Sequence, residues 1–405
     1  MNVVFILIDG FRYDYLSPEF TPVLCRVAEG ENVAVSRARE PFGFQSRPAF
    51  LAGLYPEESG VCMLFKYSPD TSPFGRIGPL SRLGGVPKLG CRLRRRIELR
   101  TAGLEGDIYR YLHTTAQVPL SLLPYFDYSE KELPWEARYA TPTIFDVVRR
   151  TGGSFIYLGW PVYSSPHEDD RVVKDMLESL QSTHRFVFVQ LALLDGLGHA
   201  HGPDSAQLAR GLEETDRRFG LILDALKKNM GDFVLFAYGD HGMVGVQRYL
   251  NLWEKLKAAG PRLGRDYIVF LDSTTARFWF REESARGELA GLIRGIEGGR
   301  ILEGEDMAKH HIVFKDRSYG DMIFLADPGS LIHPSFFSRG VTPRGMHGYD
   351  PDFHANQGIF VMATSRPEAM SVPEVVDHVD LYATAVRLLG HEHPPLAHGR
   401  NLIQS

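Results

Sequence analysis

Short apolar runs recur along the chain, and three of them end in an acidic residue: VVFILI before Asp9, FVFVQLALL before Asp195 and FVLFAYG before Asp240. Runs rich in β-branched and aromatic residues predict strands covered on both faces, as in a parallel sheet between helices. SFIYLGW from Ser154, GIFVMATS from Gly358 and a short segment at residues 33–35 predict further strands. Apolar positions at helical spacing fall between them: at residues 20–28, in a stretch opening after Phe44 and closing before Gly53, at 205–228, and in the closing VDHVDLYATAVRLLG. In the third of these, Leu208, Leu212, Phe219, Leu221 and Leu226 form a partial inward stripe. Strands alternating with helices predict an α/β fold around a central, mostly parallel sheet. Ligands of open α/β sheets gather beyond the carboxyl ends of the strands, so the three carboxylates are expected on one edge.

The pattern is interrupted twice. From residue 61 to 136 periodicity is lost: Pro69, Pro73, Pro79 and Pro87 break it, and the arginine-rich RLRRRIELR follows at residues 92–100. That is too long for a simple loop and predicts a cap or lid. Residues 249–338 alternate strand-like runs, YIVFLDSTTARFWF and DMIFLAD, with a helical stretch at 283–296, and predict a small α+β insertion. The core is therefore expected in three parts, 1–60, 137–248 and 339–405.

Composition narrows the class. With 405 residues, 44% hydrophobic and 23% charged, the chain has the make-up of a globular enzyme with a large core. No apolar run approaches the roughly 20 residues that span a bilayer, and no basic region or small-residue cleavage site surrounds the first strand. Cys25, Cys62 and Cys91 are odd in number and show no paired spacing, which argues against a disulfide framework or a structural zinc site. A cytoplasmic location is expected. A net charge of −5 gives no general attraction to a nucleic-acid polymer, and none is expected as a partner.

Candidate chemistry follows the acidic strand ends. His199 in DGLGHAHG and His241 in DHGM place imidazoles beside the carboxylates, a mixed ligand set suited to transition-metal dications. Asp195 and His199 lie in a glycine-broken stretch and are expected to wrap a loop around an ion rather than share a helix face. Read alone, Asp9-Gly10 is a turn or a helix N-cap and His347 in MHGYD a surface turn histidine. His201 and His354 read as surface residues, and His310 and His311 lie in the second insertion without a role.

LIDGFRYDYL, GLYPEESG, DGLGHAHGP, YGDHGM and HGYDPDF, in this order, resemble the type I phosphodiesterase and nucleotide pyrophosphatase branch of the alkaline phosphatase superfamily. The resemblance implies an alkaline-phosphatase-like α/β core and two divalent metal ions, zinc first and manganese second. It implies that Asp195, His199 and His347 hold one ion and that Asp9, Asp240 and His241 hold the other. Two ions roughly 4 Å apart can clamp both the attacking and the leaving oxygen of an in-line displacement at phosphorus.

The chain departs from the family where the nucleophilic Thr or Ser should stand, because counting back from GLYP puts Gly43 there. Ser46 lies one turn later, followed by Arg47 at a helix N-terminus that could bind an anion. SRPAFLAG is also similar to the helix after the sulfatase nucleophile, which makes Arg47 a phosphate or sulfate contact or else a solvated helix residue. Three mechanisms stay open: Ser46 as nucleophile, a metal-bound hydroxide, or binding without turnover. Lys66, with Tyr67 and Arg76, is placed for substrate binding if the first insertion is a cap, and on a solvated surface if it is not. RLRRRIELR offers a peripheral membrane or polyanion contact, or a plain amphipathic helix. The expected function is hydrolysis of a small phosphodiester or nucleotide-linked substrate. Phosphomonoesterase, sulfatase, phosphoryl transferase and non-catalytic binding activities are the alternatives.

Overall fold

Val3, Phe5 and Leu7 point to one face of the first strand, β1 (Asn2–Ile8), and Val4, Ile6 and Ile8 to the other; all six are buried. A strand apolar on both faces has to lie inside a sheet with helices on each side. The computed structural model describes residues 1–75, 118–163, 165–338 and 342–404. Readings that fall on residues 76–117, among them Arg76, Cys91 and RLRRRIELR, lie outside the described residues. Among the described residues no helix is long and apolar enough to cross a membrane.

The chain divides into two units: Met1–Ser59 with Glu132–Gly245 and Pro343–Ser405, and Gly60–Lys131 with Val246–Thr342. The first holds a seven-stranded sheet of β1, β2 (Val33–Arg39), β3 (Ser154–Leu158), β4 (His184–Leu191), β5 (Phe233–Tyr238), β6 (Gly358–Thr364) and β7 (Val375–Asp377), in the order β7-β2-β6-β5-β1-β4-β3. Only β6 runs against the others.

One face of the sheet packs on α1 (Pro22–Ala28), α4 (Asp169–Ser179) and α6 (Ala206–Asn229), the other on α2 (Arg47–Ala52), α3 (Ile144–Arg150) and α7 (His378–Leu388). Each fully buried Val, Leu, Ile or Phe contributes about 1.5–3 kcal/mol. A one-residue slip of any inner strand would reverse both of its packed faces, so the residues that follow the strands are fixed in place.

Two expectations change here. Asp195 and His199 do share a helix face: Leu193–His201 is a helix, α5, with the pair four residues apart. Its glycines serve close packing, not flexibility, because a Cβ at Gly196 would lie 2.6 Å from Pro166 Cγ and one at Gly198 2.7 Å from Met243 Cε. Asp169 starts the helix from outside, its carboxylate accepting the N–H groups of Ala192 at 2.9 Å and Leu193 at 3.1 Å.

The two insertions also differ from expectation, because their described parts, residues 132–136 apart, belong to the second unit. Its four-stranded antiparallel sheet runs Tyr267–Leu271, Thr275–Phe280, Met322–Ala326, Gly299–Ile301. The first insertion adds the hairpin-like pair Phe65–Tyr67 and Phe126–Tyr128, with Tyr67 stacked on Trp279 at 5.3 Å. Arg277, fully buried, donates to the Phe65 carbonyl at 2.8 Å and pairs with Asp272 at 3.0 Å. Residues 132–136 belong instead to the first unit, where Trp135 meets Tyr157 edge-on at 5.5 Å.

Candidate functional site

Parallel β1, β4 and β5 deliver Asp9, Asp195 on α5, and Asp240 to one edge of the sheet. Gly10 makes the first turn possible: its φ is 73°, and a Cβ there would press on the Asp195 backbone at 3.1 Å. The Gly10 N–H donates to Asp240 Oδ1 at 3.2 Å, and the His241 N–H to the same oxygen at 3.0 Å. His347 arrives from a two-residue antiparallel pairing of Gly345–Met346 with Val244–Gly245. Its ring lies flat on His241, centroids 3.5 Å apart, and Phe44 meets its edge.

The ligand atoms gather in two compact triads, Asp9 with Asp240 and His241, and Asp195 with His241 and His347; within each they lie within 4.8 Å of one another. His199 adds to the second, with Nε2 3.1 Å from Asp195 Oδ1. All six residues expected as ligands therefore come together, and His241 stands between the two groups.

The hydrogen bonds around the imidazoles fit a cation. His199 Nδ1 is 2.9 Å from the Gly345 carbonyl and His241 Nδ1 2.8 Å from the Gly242 carbonyl, contacts that place the Nδ1 proton on each ring. Each Nε2 then faces carboxylates, His199 toward Asp195 and His241 toward Asp9 at 3.2 Å and Asp240 at 3.7 Å. A lone pair aimed at a carboxylate is repulsive unless a proton or a metal ion lies between them. Asp195 Oδ1 and His347 Nδ1 are buried and make no hydrogen bond.

The electrostatics have the same sense. Burial lifts Asp240 to about 7, reinforced by Asp9, and lifts Asp9 itself, reinforced by Asp195. Burial works against the charge of His241, yet Asp240 and Asp9 outweigh it and hold that imidazole well above its ordinary value. Burial also opposes the charge of Asp195, but His199 and His347 keep it below the usual carboxylate range. The cluster favours added positive charge.

Beside it is a cavity of about 200 Å³ whose lining includes Asp9, Glu40, Ser46, Arg47, Trp160 and Gln190, over the rings of Phe50, Tyr157 and Phe188. Ser46 lies at the start of α2, and its side chain caps no helix N–H. Arg47 spreads its guanidinium over Trp160, 4.1 Å from the ring centroid, and donates to Gln45 Oε1 at 3.1 Å. The α2 N-terminus offers few N–H groups to an anion: α2 is only six residues long, Pro48 has no N–H and the Ala49 N–H is taken by the Ser46 carbonyl. Lys66 belongs to the second unit, opposite Asp127 in its strand pair. His201 and His354 are exposed, and His310 and His311 lie in the second unit.

Sequence reasoning missed Gln190, Trp160 and Glu40. Gln190 donates to Asp9 Oδ2 at 2.8 Å and accepts the Trp160 N–H at 2.9 Å, so it ties a candidate ligand to the platform under Arg47. One signal was available: Gln190 is the single polar residue inside the apolar run FVFVQLALL.

Residues 3–350 match the family described as type I phosphodiesterase / nucleotide pyrophosphatase, and the chain belongs to that family of phosphodiester hydrolases. Its fold is similar to that of murine ectonucleotide pyrophosphatase / phosphodiesterase 5, with a TM-score of 0.68, 19% identity and 100% of each chain covered. The human protein of the same name aligns at a TM-score of 0.69 and 18% identity, again over 100% of each chain. An inactive variant of the murine protein in complex with AMP aligns at 0.67 and 18% over the same extent. Sequence comparison with curated proteins gives no match.

Proposed function

We propose that this chain hydrolyses a phosphodiester or nucleotide-linked substrate at a centre holding two divalent cations. The observation that carries the reading is the paired orientation of His199 and His241, each with Nδ1 directed to a backbone carbonyl and Nε2 to carboxylates. Asp9, Asp240 and His241 would hold one ion, and Asp195, His199 and His347 the other. Oxygen and imidazole nitrogen together favour zinc, then manganese.

When bound, the cations would neutralise charge developing on the phosphoryl oxygens. The chain's own residues supply the rest. Arg47 offers a planar guanidinium to a non-bridging oxygen. Gln190 holds the Asp9 carboxylate in one orientation, and the aromatic floor lowers the local dielectric, which strengthens each of these interactions. Gly43 provides no hydroxyl, which leaves Ser46 or water as the attacking group. The murine relative in complex with AMP supports a nucleotide-linked substrate class.

Protein purified without chelator should carry close to two equivalents of zinc or manganese and cleave bis-p-nitrophenyl phosphate faster than p-nitrophenyl phosphate or p-nitrophenyl sulfate. His241→Ala should lower metal content and turnover together. Full metal content without turnover of any of the three esters would replace this reading with a non-catalytic binding protein, for which Gly43 is the motivating feature.

A further inference from the structure

β2 has the sequence VAVSRAR, with Ser36, Arg37 and Arg39 polar, and Glu40 follows it directly. It is antiparallel to β6, which is antiparallel to β5, so β2 points the same way as β1 and β5. A fourth carboxyl thus reaches the edge that holds Asp9 and Asp240. Glu40 is 5% exposed and lines the same cavity.

Its carboxyl is oriented but lightly held. Oε1 accepts a hydrogen bond from Asn356 Nδ2 at 3.3 Å, and buried Asn356 in turn accepts the Tyr349 N–H at 3.3 Å. No second hydrogen bond and no ion pair to Glu40 occurs among the described residues, and it belongs to neither ligand triad. Burying a carboxyl on one hydrogen bond is costly, which makes a purely structural role a poor explanation. Burial lifts Glu40 to about 8; His241 works against the shift and Asp240 with it. Positive charge entering the cavity favours the carboxylate. Gly43 stands three residues further on, and Glu40 on one side of it and Phe44 to Arg47 on the other all line the cavity.

We infer that Glu40 is the general base of the reaction, taking a proton from the water that attacks phosphorus in place of a side-chain hydroxyl at residue 43. The inference rests on the hydrolase reading above. The water oxygen forms a bond to phosphorus while the ester P–O bond opposite breaks, the water proton passes to the Glu40 carboxylate, and the leaving alkoxide takes a proton from solvent. No covalent enzyme intermediate forms, and Ser46 is not the nucleophile.

The test uses metal-loaded full-length protein. Glu40→Gln keeps the shape and an oxygen for Asn356 and should lower kcat about 10²–10⁴-fold. Metal content should stay at the wild-type level, because Glu40 is not a ligand. With a chiral phosphorothioate diester, wild type should invert configuration at phosphorus, since a single in-line displacement inverts; this measurement needs no variant to fold. Retention of configuration would overturn the proposal, as would an unchanged kcat or the loss of a metal ion in Glu40→Gln. Active wild type with active Glu40→Gln removes the base alone, whereas metal-loaded wild type that cleaves no ester removes the hydrolase reading and the base with it.

Discussion

Gly43 lies at φ 113°, a backbone conformation that side chains with a Cβ rarely adopt. The family's hydroxyl therefore cannot be restored by substitution alone, because the loop has turned into a shape made for glycine. Gly43→Thr should cost about 1–3 kcal/mol, seen as a lower midpoint in urea or heat, and should add no activity. A stable Gly43→Thr that is faster than wild type would refute the general-base assignment as well. At this scale the sequence was legible where a motif fixed the residue: all six expected ligands meet. It was not legible for Glu40, whose strand carries Ser36, Arg37 and Arg39 and so lacks the apolar run that exposed the other three carboxylates. Trp160 was hidden for another reason, since nothing local links it to Arg47 and only the fold stacks the two.

Among the elements, α5 ties local packing most directly to the site. A Cβ at Gly345 would lie 2.5 Å from the Gly198 carbonyl oxygen, a backbone atom that cannot move aside. Gly345→Ala should therefore push His347 and α5 apart, cost about 1–3 kcal/mol and weaken metal retention in dialysis. Ordinary stability with full metal content in that variant would contradict the packing. The loop expected around Asp195 follows from reading glycine as a helix breaker; tertiary contact overrode propensity, and the capping carboxylate comes from Asp169, distant in sequence.

Asp169 also has a signature in pH. Burial lifts its carboxyl to about 6, against the opposing pull of the Ala192 and Leu193 N–H groups. Its folded value lies above the unfolded one, so the folded state binds the proton more tightly. The stabilisation is complete below about pH 4 and is lost as pH rises through 6. Asp169→Asn should remove that component, so the stability difference between wild type and variant should drift by about 2–3 kcal/mol from pH 4 to 7, with wild type losing ground. A flat difference would mean that the folded and unfolded carboxyls titrate alike, as a solvated carboxyl would.

For the whole molecule, the sequence indicated where the core was interrupted but not that two interruptions build one unit. The stacking of Tyr67 on Trp279 and the Arg277 bond to the Phe65 carbonyl join segments some two hundred residues apart, a pairing that periodicity cannot reveal. On the proposed two-cation reading, the gathered carboxylates of the first unit would make metal binding a global stability term. Cation saturating the site at a hundred times its Kd should add about 2.7 kcal/mol, and chelation should lower Tm accordingly. Asp9→Asn should shrink the metal-induced rise while making the chelated protein more stable, because repulsion with Asp195 is relieved. An equal Tm with and without chelator would separate the cluster from metal binding.

The stack of Arg47 on Trp160 also makes the site optically readable. Trp160 lines the cavity, with its backbone N–H held by Gln190 and a cation resting on its face. An oxyanion that recruits the guanidinium draws a charge away from the indole face, so the emission of this one tryptophan becomes a gauge of occupancy. Titrating phosphate into wild type and into Trp160→Phe would isolate that signal without any turnover.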